Sequence, residues 1–339
     1  MKRKDSSHEA AKSVPAPAGY VRLLLRQFAT TPALRASLLE GVDVDEETLN
    51  RPGAEATLHS IFVLSTNLQR HIGEDWPLKA LSVWGTATQG ALDVAVRSAA
   101  TVGEGMEILA RYGHVRGPYL DLRLVRDKRN TTLMLSSLSP IGEAVIRAMN
   151  TTAVLSARSM LEPVLEDAKD RVVYRFPGRA PQHADRLRAV LGGTVVFEQR
   201  QHAIVVPSDV CARASPYSDT TLLASALAEL EAGARRIKDE DTLPLRIQQI
   251  IKRRRTGRLS EEEAARELGL SRRTLVRRLA DCGTSYRAML DANLRERARA
   301  MLDEGKRTRA EMAEALGFDD PTSFSRACRR WFKMEREGP

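Results

Sequence analysis

Cysteine is scarce in this chain: three among 339 residues, at positions 211, 282 and 328. No two form a C-x-x-C pair, which excludes a structural zinc site and leaves each as a small buried hydrophobe in a reduced, cytoplasmic protein. Histidine supplies no metal site either, since His59, His71, His114, His183 and His202 never fall at spacings such as H-x₃-H. Long apolar runs are also missing. No segment approaches the ~20 apolar residues that span a bilayer, and no apolar stretch follows the basic start as a secretory signal would require. Catalytic patterns are absent as well. Gly103-x-Gly105 and Gly192-Gly193 are not followed by Gly-Lys-Ser/Thr, and no G-x-S-x-G elbow is present. Nothing here calls for a cofactor, a metal or an enzyme.

What is present lies near the C-terminus. A helix-turn-helix pattern starts at Ser260 and recurs 48 residues later at Thr308. Each copy opens with capping-box chemistry, Ser260 with Glu263 and Thr308 with Glu311. Each then places an alanine, Ala265 or Ala313, four positions before a glycine, Gly269 or Gly317. The alanine lets a second helix cross closely, and the glycine permits the left-handed backbone of a tight turn. Charge points the same way: residues 243–339 carry 23 Lys+Arg against 15 Asp+Glu, while residues 1–242 carry 30 against 29. Arginine-rich helices are often no more than solvated faces. Combined with two tandem turns, the basic excess reads as the footprint of double-stranded DNA binding.

In the first unit Leu275 and Leu279 repeat at i and i+4 and should face a core. Arg272, Arg273, Thr274, Arg277 and Arg278 are then predicted on the outer side of the second helix. In the second unit Phe324, Cys328 and either Trp331 or Phe332 form the predicted buried stripe, leaving Thr322, Ser323, Arg326, Arg329 and Arg330 outward. Arg272, Arg273, Thr322 and Ser323, nearest the helix starts, have the better claim to base edges, and the remaining arginines to phosphates. Between the units a helix over residues 285–302 is predicted, with Tyr286, Met289, Leu290, Leu294, Ala298, Met301 and Leu302 on one face. At 1.5 Å per residue it spans roughly 25 Å, enough to hold two reading helices about one DNA turn apart. Lys252-Arg253-Arg254-Arg255 is expected to end the first helix of this region and to touch phosphate.

The stretch Arg246 to Phe332 resembles the DNA-binding domain of the AraC/XylS family of bacterial transcription regulators. The resemblance rests on Leu270-Ser-Arg-Arg-Thr-Leu-Val-Arg-Arg-Leu279, on Ala313-Glu-Ala-Leu-Gly317-Phe318, and on Ser323-Phe324-Ser325-Arg326-Ala327. Members of the family usually continue with a Gly-x-Ser/Thr-Pro turn and a short closing helix. Here Lys333-Met-Glu-Arg-Glu-Gly-Pro339 follows instead, so the brace of the second unit is expected to be shortened or missing.

Further upstream, residues 1–19 are rich in Lys, Ser, Ala and Pro without periodicity and read as a disordered tail. Residues 20–217 mix both periods: helices over 34–39, 54–70, 91–99, 101–112 and 141–168, a hairpin of 120–125 with 132–135, a strand at 172–176, a helix over 182–191, and a second hairpin of 195–197 with 203–206. This predicts an α+β domain large enough for its own core. Residues 218–242 form an amphipathic helix, read as an interdomain or dimer linker or as a last piece of the N-terminal core, ahead of an all-α DNA-binding domain at 243–339 with two helix-turn-helix units joined by a long helix. Ala100-Thr-Val-Gly-Glu-Gly-Met-Glu-Ile-Leu-Ala-Arg-Tyr112, Val172-Val-Tyr-Arg-Phe-Pro177 and Leu191-Gly-Gly-Thr-Val-Val-Phe197 resemble the arabinose-binding-type effector domain of one branch of the same family. That resemblance implies a domain that senses a small molecule and helps form a homodimer, in a regulator that more commonly activates through RNA polymerase. Trp76, Trp84 and Tyr112 are candidates to line an effector pocket, although buried aromatics are more often ordinary core. A DNA-binding protein with a purely structural N-terminal domain is the alternative. A methyl-accepting repair regulator is set aside for want of a cysteine-rich zinc site, and a hydrolase-like sensor because Cys211 follows what reads as loop.

Overall fold

The computed structural model describes residue 11 and residues 14–332, apart from 45–46, 48, 50, 52–53, 86, 138–142, 238, 255, 283 and 305–306. The chain divides after Lys238 into two units.

The first unit begins with a short strand, β1 (Pro15–Pro17), then α1 (Ala18–Phe28), α2 (Pro32–Leu39), β2 (Glu55–Thr57) and α3 (Leu58–His71). Two short helices, α4 (Trp76–Lys79) and α5 (Leu81–Gly85), lead through a 3₁₀ turn at Ala87–Gln89 to α6 (Ala91–Ser98) and α7 (Val102–Arg116). A hairpin of β3 (Leu120–Arg126) and β4 (Asn130–Ser137) follows, turned by Asp127, whose carboxylate accepts the amides of Arg129 and Asn130. The long helix α8 (Glu143–Leu165) packs against α3 to α7 and against β4. The unit closes with β5 (Val173–Pro177), α9 (Ala184–Leu191), β6 (Thr194–Gln199), β7 (His202–Pro207), the single turn α10 (Ser208–Cys211) and α11 (Thr220–Arg236). Side chains fix several starts: Thr31 Oγ1 accepts Leu34 N–H, Thr57 accepts Ser60 N–H, and Asp219 accepts the amides of Thr221 and Leu222. At α7 the Thr101 hydroxyl accepts Glu104 N–H, whereas the Glu104 carboxylate reaches Ala100 N–H at 2.6 Å, one residue upstream of the expected reciprocal bond.

Three sequence expectations change here. The supposed tail over 1–19 enters the fold: Ala11 and Val14 are buried, and β1 pairs antiparallel with β2. Residues 1–10 lie outside the described residues. The start of the predicted 54–70 helix is correspondingly taken by β2. The supposed hairpin of 195–197 with 203–206 does not form, because β5 lies between the two strands in the order β3-β4-β7-β5-β6. β6 runs parallel to β5, and a parallel pair needs a crossover, which α9 supplies. β7, buried along nearly its whole length, takes the centre, as its continuous apolar run Ala203–Val206 favours. Finally, of the two readings of residues 218–242 the packing favours the one that completes the N-terminal core: α11 packs on α6 and α7 and buries Ala226 and Leu230 there.

The second unit holds α12 (Asp239–Arg253), α13 (Glu261–Glu267), α14 (Arg272–Asp281), α15 (Tyr286–Glu304), α16 (Arg309–Ala315) and α17 (Pro321–Phe332). It has two small cores. Ile247, Ile251, Leu275, Leu279, Tyr286 and Met289 are buried in one, and Leu294, Ala298, Met312, Phe324 and Trp331 in the other. Leu290, midway along α15, packs against both. Leu302, expected on the buried face, is 47% exposed, because that face is already filled by Ala298 and Met301.

Candidate nucleic-acid interface and effector cavity

Both capping boxes form in full. Ser260 Oγ accepts Glu263 N–H at 3.1 Å while Ser260 N–H donates to Glu263 Oε2 at 2.8 Å, and Thr308 with Glu311 repeats the pair at 3.2 and 2.7 Å. These bonds hold both carboxyls below the usual range, so the caps are intact at neutral pH. Gly269 and Gly317 take the left-handed conformation at φ +66° and +70°, turning the chain into α14 and α17. Ser271 and Asp320 then cap those helices, Ser271 through Thr274 N–H and Asp320 through Ser323 N–H.

On α14, Leu275 and Leu279 are buried, while Arg272, Arg273 and Arg277 are exposed. Arg273 and Arg277 extend from the outer face. Arg272 instead pairs with Glu261 at 3.0 Å and Glu262 at 3.1 Å, tying the start of α14 to the first turn of α13. Thr274 and Arg278 are half-buried, and the Thr274 hydroxyl lies 2.8 Å from Ser271 Oγ. On α17, Thr322, Arg326, Arg329 and Arg330 are exposed and Phe324 and Trp331 buried. The Ser323 hydroxyl donates to Asp320 at 2.7 Å, and Arg330 is paired with Asp291 of α15, which also accepts Trp331 Nε1–H at 3.0 Å. Arg272, Ser323 and Arg330 are therefore each engaged by a carboxylate of the same unit, Arg272 and Arg330 while remaining exposed. Arg254 lies 3.7 Å from Glu263, while the side chains of Lys252, Arg253 and Arg255 lie outside the described residues, as does the closing segment 333–339.

Sequence reasoning missed the joint between the two helix-turn-helix units. Gly257 N–H donates to Ala315 O at 3.1 Å, and Arg297 of α15 donates to both Gly257 O (3.1 Å) and Ala315 O (2.9 Å). Arg258 stacks 3.7 Å from the centroid of the Phe318 ring. The joint is tight: a Cβ on Gly317 would lie 2.7 Å from Arg258 N and 2.8 Å from Gly257 Cα. No local pattern announces Arg297, which reads as one more arginine on a polar helix.

In the first unit a cavity lies between β1, α1, α7, α8 and the β3–β4 hairpin. Trp76 and Trp84 line it, their rings edge-on at 6.2 Å, with Trp84 Nε1–H bonded to Pro77 O. Tyr112 does not. It is buried on the side of α7 that meets α11, where its hydroxyl reaches Glu231 at 3.4 Å and burial raises its pKa. Tyr20, Gln89, Arg116 and Tyr119 also line the cavity and were not legible beforehand. Tyr20 sits beside what read as a tail, and Arg116 resembles an ordinary basic residue in a last helical turn.

An α+β sensor-like domain with a cavity, followed by two capped helix-turn-helix units with exposed arginines, defines a ligand-binding, DNA-binding regulator of transcription. Residues 34–215, more than half of the chain, match the family described as the arabinose-binding domain of AraC transcription regulator, N-terminal, and residues 264–335 match a helix-turn-helix domain. The chain belongs to the AraC family of transcription regulators. It is 29% identical to the ornithine utilization regulator of Pseudomonas aeruginosa over 93% of each chain. It is 26% identical to the HTH-type transcriptional regulator VirS of Mycobacterium tuberculosis over 77% of this chain and 76% of that one. A crystal structure of the transcriptional regulator CdpR from P. aeruginosa aligns with a TM-score of 0.47 at 20% identity, covering 93% of this chain and 95% of that one. These relatives are transcriptional regulators and not enzymes. Among the described residues no helix is long and apolar enough to cross a membrane.

Proposed function

We propose that this regulator reads an operator with Arg273 and Arg277 of α14 and with Thr322, Arg326 and Arg329 of α17, and that Arg272, Thr274, Arg278, Ser323 and Arg330 support those contacts from behind. The observation that carries the reading is the exposure of these arginines on the second helix of two units that are each capped and turned alike. The 19 residues of α15, about 28 Å long, hold the two helices at a separation suited to two successive major grooves. The N-terminal unit senses a small molecule and forms the homodimer, and ligand binding shifts the population of DNA-competent states. The sign is activation through RNA polymerase in the cytoplasm, as is commoner in the family.

Binding-site selection from genomic fragments with the full-length protein at two salt concentrations tests this. Two sequence blocks about one helical turn apart are expected. Replacing Arg273 and Arg277 by alanine should weaken binding and relax preference in one block, and replacing Arg326 and Arg329 should weaken binding at the other, with preference there lost only where one of them reads a base. A base-reading arginine costs about 1–3 kcal/mol of discrimination, whereas a phosphate-contacting one lowers the salt slope by about 1 without altering preference. Unchanged affinity and preference after all four replacements would remove the assignment. A reporter fused to the selected site scores the sign: expression that falls when the regulator is deleted supports activation.

A further inference from the structure

Among the described residues, three buried side-chain donors in the N-terminal unit have no hydrogen-bond partner: Trp76 Nε1, Gln89 Nε2 and Arg116 Nε. All three residues line the same cavity. Trp76 and Gln89 are 2% and 3% exposed, so water does not serve these groups in passing. The neighbouring bonds explain why these donors are left over. Tyr20 donates its hydroxyl to Gln89 Oε1 at 2.6 Å, which occupies the acceptor of that amide and leaves the NH₂ group turned away from it. Arg116 donates Nη2–H to Thr88 O and lies 5.3 Å from the Tyr20 ring centroid, leaving Nε. No carboxylate pairs with Arg116 among the described residues.

The orphans at this cavity are all donors. What fits them is a molecule that brings acceptors and no donors of its own. Among the described residues Arg116 is also the one ionised side chain in the lining, with no Asp, Glu, Lys or His beside it. The rest is mostly aliphatic and aromatic, including Leu24, Leu109, Leu133, Met149 and Met160, with the uncharged hydroxyls of Ser65, Thr152, Ser156, Tyr20 and Tyr119 among them. An ammonium group placed here would be desolvated with no carboxylate to meet it. A carboxylate would meet a guanidinium, an indole N–H and an amide N–H, in charge-assisted bonds strengthened by the apolar walls.

We infer that the effector of this protein is a monocarboxylic acid with an apolar alkyl or aryl body, its carboxylate held by Arg116, Gln89 and Trp76. The inference rests on reading the N-terminal unit as the sensor. It separates this chain from any ligand carrying two ammonium groups, ornithine included, even though a relative is named for ornithine utilization.

Thermal unfolding of the full-length protein is measured with hexanoate, octanoate, decanoate and 3-phenylpropanoate. The matched alcohols, the matched primary amines and L-ornithine serve as comparators. At least one acid is expected to raise the melting temperature by a few degrees, with the alcohols weaker and the amines and ornithine without effect. For the best acid, calorimetry on Arg116→Gln should show Kd raised at least about tenfold while the alcohol's affinity stays level. Gln89→Leu should lower affinity for the acid less than Arg116→Gln does. Equal binding of alcohol and acid, or binding of ornithine, overturns the inference. So does the absence of a shift with every acid. Ala153→Trp, which fills the cavity, separates this failure from failure of the sensor reading itself. If no acid binds but Ala153→Trp locks a reporter in one state at wild-type melting temperature, the chemical class is wrong and the sensor stands. If a folded Ala153→Trp regulates as the wild type does, the cavity is not the sensor.

Discussion

Gly269 and Gly317 occupy equivalent turns, yet the structure gives them different burdens, and replacing each by alanine separates the two. At Gly269 a Cβ meets nothing within 4 Å, so the cost is the left-handed backbone alone, about 1 kcal/mol. At Gly317 the same backbone cost applies, and the new methyl would also stand 2.7–2.9 Å from the backbone of Gly257 and Arg258. Backbone cannot rotate aside as a side chain does, so relieving the overlap means parting the joint formed by Gly257 N–H with Ala315 O and by Arg297. The total should exceed about 3 kcal/mol. A domain of this size loses roughly 4–8 °C per kcal/mol, so calorimetry on the full-length chain should place the DNA-binding unit of Gly269→Ala several degrees below wild type. Gly317→Ala should fall two- to threefold further, or fail to show a separate transition. Asparagine, which tolerates φ > 0, should recover much of the loss at 269 and little at 317. Equal shifts for the two alanines would refute the claim that close approach, beyond turn conformation, sets the demand at Gly317.

Arg297→Met removes two charge-assisted bonds to Gly257 O and Ala315 O and should cost about 2 kcal/mol; binding-site selection should then return the first block with the second blurred or at variable spacing. His202 is 4% exposed, and its pKa is pushed down to about 4 by burial first and by the Arg147 charge second. Between the unfolded value near 6.5 and about 4 the unfolded chain binds a proton that the folded chain refuses, so stability falls as pH drops through that window, by at most about 3 kcal/mol. Urea unfolding at pH 7 and pH 4.5 should show a smaller difference for His202→Leu than for wild type, and an unchanged difference would sink this account. Ser260→Ala should cost about 1 kcal/mol through loss of the cap at α13, read as a lower melting temperature of the DNA-binding unit.

The C-terminal unit was the more legible because its determinants are local. Ser260 with Glu263, Ala265 with Gly269, and Leu275 with Leu279 act within one or two turns, and their copies around Thr308 repeat the same spacing. What escaped involved residues far apart in sequence. Arg297 serves carbonyls 40 and 18 residues away, and the pairing of Arg272 with Glu261 and Glu262 joins two helices across the turn. In the N-terminal unit the hairpin at 120–137 was readable from its Asp127 turn. The pairing of β6 was not, because a short link between two strands suggests a hairpin whether or not a third strand inserts. Residues 14–17 lack periodicity and so read as tail; their order comes from partners at 55–57. For the cavity, Trp76 and Trp84 were visible as large aromatics, but only the fold shows that Tyr112 faces the other way and that Arg116 lies beside them.

Leu290 belongs to both small cores of the DNA-binding unit, and that sharing has a consequence for promoters. If α14 and α17 read DNA as proposed, both are seated on one continuous helix, and the distance between the two DNA blocks is a property of the protein. A promoter can then exchange single bases within a block at a graded loss. Adding or deleting one base pair between the blocks turns one away from its helix by roughly 35° and shifts it by about 3.4 Å, which the shared core does not accommodate. Operators of this regulator should therefore drift by substitution and resist insertion and deletion, so that spacing outlasts sequence.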